Sequence, residues 1–239
     1  MSLLQEQPIP SSDRRFISKA LYVSLFLLVL GDSFQRLMTR YFYQLVQSKQ
    51  IGRWTILVDY DETARALFFI FESILIVAYL VLRRGDNISV TSWFRRVPLR
   101  ELVIGAVAAI PIFLLSLPVL LRLDAHSGLV SLVTSQLFST HTILVLILIV
   151  GVLPLTTECV CRGIVFQGLS KGATLPAAVV TSSFVFAATW PVYNPIVGIL
   201  LGITAAVLFN RSKSILPGLL TNALVTILCL LALVLAALK

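Results

Sequence analysis

Charge is what this chain has least of. Asp, Glu, Lys and Arg make up 13% of the residues against 58% hydrophobic ones, and the mean hydropathy is +0.95. A soluble domain carries roughly a quarter of charged residues, so that class is excluded and lipid becomes the main solvent. Acidic residues are scarcer than basic ones, 11 against 19, leaving a net charge of +8. The basic residues stand at the ends of apolar runs rather than in a stripe. That is a topology signal and argues against a nucleic-acid partner. Histidine is limited to His126 and His141. Apart from Asp124, no carboxylate or cysteine lies at ligand spacing from them, so they read as surface polar residues and no metal is expected. Cys159, Cys161 and Cys229 fall in apolar segments at no CxxC spacing. This excludes a disulfide framework or zinc ribbon and leaves small buried packers; no cofactor is expected.

What the chain does have is apolar runs long enough to cross a bilayer, which takes about 20 residues each. The expected fold is all-α, a polytopic membrane helix bundle of about seven transmembrane helices, with six to eight open. Residues 1–15 form a polar cytoplasmic tail, and 16–239 a single membrane domain. Arg14 and Arg15 precede the first run, and no small-residue cleavage pattern follows it, so it reads as an uncleaved span with its start in the cytoplasm. Spans are expected near 16–34, 64–82, 101–121, 142–155, 175–191, 195–209 and 215–238. Aromatic and charged residues mix over 38–62, which suits either an interfacial amphipathic piece or an outer loop. The stretch from Arg83 to Arg100 is the most basic and is read as cytoplasmic, able to fix orientation or to meet an acidic partner or headgroup. Ala177, Ala178, Ser182, Gly198 and Gly202 offer small-residue faces for close helix contact, inside the bundle or with another membrane protein.

Two polar features interrupt the apolar pattern. Glu72 sits in the middle of the second run, where an unpaired carboxylate must turn to the bundle interior. It reads as a site residue or as a hydrogen-bonded structural carboxyl. Thr156-Thr157-Glu158-Cys159-Val160-Cys161-Arg162-Gly163 follows a long apolar run, and Glu158 and Arg162 have the spacing that shares a helix face. Such a pair marks a functional site or a helix-fixing ion pair.

Thr157-Glu158-x-x-x-Arg162-Gly163, then Ser182-Ser183-x-x-Phe186-x-x-x-Trp190, then Ser214-Ile215-x-Pro217 and Asn222-Ala223-Leu224-x-Thr226, resembles the CPBP family of intramembrane proteases. That family includes the CAAX prenyl proteases and bacteriocin-immunity proteins. The resemblance covers 144–239. In the family the pattern reads Glu-Glu-x-x-x-Arg-Gly, Phe-x-x-x-His and His-Ala-Leu-x-Asn, and the acid and imidazoles are taken to activate a water, through a metal, against a peptide bond. This chain departs from it at Thr157, Trp190, Asn222 and Thr226 and keeps only Glu158 of the two glutamates. Threonine is no base at neutral pH, an indole only donates, and asparagine is a weak ligand.

The resemblance therefore implies a catalytically degenerate membrane protein that works by binding, with Glu158, Arg162, Trp190, Asn222 and Glu72 as binding residues. Its expected partners are membrane lipid and another integral membrane protein, in the inner (plasma) membrane of a bacterium. Two alternatives stay open. One is an active endopeptidase that processes membrane-associated or lipidated proteins, with Glu72 or Glu158 as base, or with Cys159 or Cys161 as a nucleophile beside Arg162. The other is an immunity or transporter-associated subunit whose pathway Glu72 would line.

Overall fold

A backbone dissolved in lipid must satisfy its own N–H and C=O groups, and a helix does so within one segment. In the computed structural model, which describes residues 22, 74, 90–120, 146–189 and 195–237, every regular element is helical. The expected first two spans are described only at residues 22 and 74, and Glu72, His126, His141 and Trp190 lie outside the described residues, so the count of seven is not tested by them. A 3-10 turn, Val90–Phe94, leads into α1, Leu99–Leu120. A continuous rod over 146–170, here α2, alternates π-helical Leu148–Val152, α-helical Leu153–Glu158, π-helical Cys159–Phe166 and α-helical Gln167–Ser170. Then come α3, Leu175–Thr189, α4, Pro195–Ser212, and α5, Leu216–Ala237. By length and composition, α1 over Leu99–Pro118 and α4 can cross a membrane; α3 and α5 supply shorter apolar stretches.

Proline explains several of these boundaries. Pro195 opens α4, and Pro176 and Pro217 stand in the first turns of α3 and α5, where the missing N–H is no loss. Pro154 instead falls inside the α2 rod, where it removes a ladder bond; the π turn just before it absorbs the break. The Glu158 stretch is thus part of the same rod as the apolar run before it. Asn210 to Ser212, beyond the expected span of 195–209, still belong to α4, and the chain reverses at Lys213, whose φ of 55° is left-handed.

Small residues set the helix contacts. A Cβ on Gly202 would lie 2.7 Å from Ser183 Cα and one on Gly198 3.0 Å from Ala187 Cα, so α3 and α4 run antiparallel at close range. Of the two uses left open for these glycines, contact inside the bundle is the one observed; Ala178 is buried as well, whereas Ala177 is exposed. α1 and α5 run parallel, joined by Thr221 Oγ1 donating to Gly105 O at 2.9 Å and, further along, by a 3.3 Å contact between Ser116 Oγ and Cys229 Sγ. The core between the helices is aliphatic and aromatic, with Phe166 and Phe209 edge to face at 5.7 Å. All three cysteines are buried, as expected.

Candidate functional site: a buried polar cluster on α2 and α5

Glu158 and Arg162 sit one turn apart on α2, and both side chains are 0% exposed. Arg162 Nε lies 3.4 Å from Glu158 Oε2, close enough to cancel charge but not in hydrogen-bond geometry. The guanidinium turns towards α3. Its Nη1 donates to Ser182 Oγ at 3.3 Å, and its carbon lies 5.2 Å from the centre of the Phe186 ring. Ser182 and Phe186 are themselves one turn apart, so two positions of the Ser-Ser-x-x-Phe motif meet one arginine.

The carboxylate turns towards α5. A Cβ on Gly218 would lie 3.0 Å from Glu158 Oε2 and 2.9 Å from Ala205 Cβ, so only glycine leaves room for the acid at this crossing. Asn222 follows one turn later on the face that carries Gly218 and is 1% exposed. Among the described residues neither atom of its amide has a hydrogen-bond partner, and the same holds for both oxygens of Glu158 and for Nε and Nη2 of Arg162. Buried polar atoms are nearly always partnered, so an accumulation of orphans in one place distinguishes this cluster from ordinary packing. The structure thus sets Glu158 beside Arg162 and against Gly218, one turn before Asn222 on α5. Thr157 is buried beside them, and Thr226 Oγ1 is engaged with Asn222 O at 2.9 Å, within its own helix. Trp190 and Glu72 lie outside the described residues.

One residue escaped the sequence reading. Trp93, in the short turn before α1, is 1% exposed and lies flat on α2, where a Cβ on Gly163 would come within 2.6 Å of its indole. Its carbonyl accepts from Ile215 N at 2.9 Å and Ser214 Oγ at 3.0 Å, while Ser214 Oγ also accepts from Leu216 N and caps α5. The glycine of the Arg-Gly pair and the serine of the Ser-Ile-x-Pro motif are both explained by this one tryptophan. The available signal was a bulky aromatic among the polar and basic residues of an expected loop.

Residues 139–228 match the family model described as type II CAAX prenyl endopeptidase Rce1-like. This Rce1-like segment holds Glu158, Arg162, Ser182, Phe186, Gly218 and Asn222, whereas Trp93 and Gly105 come from outside it. No curated protein and no solved structure matches the chain. Over this core the chain is similar to CAAX-protease-type membrane proteins, which agrees with the resemblance read from its motifs.

The metal that the resemblance implies would need several good ligands at this cluster. Among the described residues, no three His, Cys, Asp or Glu side chains gather at one point. At this site Glu158 faces a guanidinium where a cation would have to stand, and Asn222 is a poor ligand. These residues do not fit a divalent ion. They offer one neutralised carboxylate and one amide, a set able to hold a hydrogen-bonding group.

Proposed function

We propose that this chain is a catalytically degenerate CAAX-protease-type membrane protein that acts by binding, as a subunit of a membrane complex. The observation that carries the reading is the composition of the buried cluster. Glu158 and Arg162 keep the pattern of the resemblance, but Thr157 and Asn222 stand where it has its first glutamate and a histidine. What is left has hydrogen-bonding capacity without a base and nucleophile pair. The partner is another integral membrane protein or a lipidated segment, presenting polar groups to Asn222 and Glu158 between α2 and α5. The basic end of the bundle, where Arg95, Arg96, Arg100, Lys171, Arg211 and Lys213 lie, faces the cytoplasm.

The test is native mass spectrometry of the protein purified from its own membrane in mild detergent. A stoichiometric protein partner that is lost in Asn222→Leu is the expected result. The rival is an active intramembrane endopeptidase, favoured by the retained Glu158, neither of whose oxygens has a hydrogen bond among the described residues. A lone chain carrying one transition-metal ion, with cleavage of a prenylated peptide abolished by Glu158→Gln in folded protein, would establish the rival and sink the binding role.

A further inference from the structure

Charge gathers at one end of the bundle. α1, α3 and α5 begin there and α2 and α4 finish there, a polarity fixed by the pairs Gly105 with Pro217, Ser183 with Gly202 and Arg162 with Ser182. Arg95, Arg96 and Arg100 are exposed at this end, between the 3-10 turn and the first turn of α1. The neighbouring acid, Glu101, is committed elsewhere: its Oε1 accepts from Arg211 Nη2 at 3.0 Å. None of the three arginines has an acidic partner among the described residues.

Two further observations place these arginines. Phe94 and Leu99, exposed by 42% and 75%, alternate with them, and the exposed face of α1 continues through Val103, Val107, Ile110 and Leu114. That face belongs to a 20-residue stretch with a mean hydropathy of 2.1. The guanidinium groups therefore stand where hydrocarbon gives way to headgroups. The segment is also held in place. Trp93 is wedged against Gly163, and its carbonyl is tied to Ser214 and Ile215, so the backbone leading to the arginines is fastened to the Rce1-like core.

We propose that Arg95, Arg96 and Arg100 form a docking site for the headgroup phosphate of an anionic phospholipid in the adjoining leaflet, with Phe94 and Leu99 against its acyl chains. Guanidinium forks bind phosphate oxygens in pairs, and unpaired exposed arginines meet such a group without first breaking an ion pair. The apolar flanks select a lipid over a soluble anion, because only a lipid brings chains for them to contact.

The full-length protein in mild detergent, titrated with phosphatidylglycerol or phosphatidylcholine of the same chains and read by native mass spectrometry, tests this. The wild type should retain phosphatidylglycerol preferentially. Each arginine is worth about fivefold in affinity, so Arg95→Gln, Arg96→Gln and Arg100→Gln together should weaken retention on the order of a hundredfold. Lys213→Gln, at the same end but bonded to Asn210, should change it little. Equal retention by the triple variant and the wild type would overturn the proposal. So would displacement of the lipid by equimolar inorganic phosphate, which would identify a soluble-anion site. Should the triple variant fail to fold, three single variants that each bind like the wild type would be equally decisive.

Discussion

Thr221 and Asn222 are neighbours on α5, yet they meet opposite fates. Thr221 faces α1, where its hydroxyl lies 2.9 Å from both Gly105 O and Pro217 O. Asn222 follows Gly218 on the face towards Glu158, and its amide finds no hydrogen-bond partner among the described residues. One seam of α5 is glued by satisfied hydroxyls; the other collects, among the described residues, four side-chain atoms without a hydrogen bond, two on Glu158 and two on Asn222. Polar residues between membrane helices are usually glue, worth about half to two kcal/mol each. A seam that departs from that economy is the one to which the proposed binding role is assigned, and this is why the proposal looks between α2 and α5 rather than between α1 and α5.

The sharpest way to break the comparison is to remove one charge of the buried pair. Glu158→Gln leaves Arg162 uncompensated in a fully buried position, and Arg162→Gln does the same to Glu158. Each should destabilise by about 3–5 kcal/mol, read as a fall in the unfolding midpoint in detergent. The double variant should be milder than either single, since the charges neutralise each other more than they bind. Two mild singles would show that water reaches the pair, and the seam would not be the dry, unsatisfied one described.

Next in size is the back of α2, which is packed as tightly as its α5 side is unsatisfied. Gly163→Ala drives a methyl to within 2.6 Å of the Trp93 ring, a rigid group held through its own backbone. Overpacking of this kind costs about 1–3 kcal/mol. Trp93→Phe in the same chain should recover part of the loss by supplying a smaller ring, and a double-mutant cycle on thermal midpoints measures the coupling. Strict additivity would mean that the two residues do not touch.

These contrasts were only partly legible in the sequence. Hydropathy identified helices close to α1, α3, α4 and α5, because lipid leaves a span few alternatives to a helix. The Glu158 and Arg162 pair was legible too, since four-residue spacing on a helix forces proximity. What spacing could not convey was long range. That Gly218 rather than a side chain meets Glu158, and that Trp93 reaches across to Gly163 from an apparent loop, depend on how helices distant in sequence cross. The small-residue pattern of Gly198 and Gly202 was equally readable as an inner or an outer face, and only packing against Ser183 and Ala187 decides it.

The smallest effects separate the two seams most cleanly. Thr221→Val removes a hydroxyl that joins α5 to α1 and keeps the shape, so it should cost about 1 kcal/mol in the unfolding midpoint. Asn222→Leu replaces an amide that makes no bond with an apolar group of similar size, and removing an unsatisfied buried polar group is neutral or stabilising. The fold should therefore register the neighbour with the satisfied bond and ignore the one without. Partner retention should do the reverse, surviving Thr221→Val and failing in Asn222→Leu. If Asn222→Leu instead destabilises by as much as Thr221→Val while leaving the partner bound, Asn222 is structural glue after all, and the two seams of α5 do the same work.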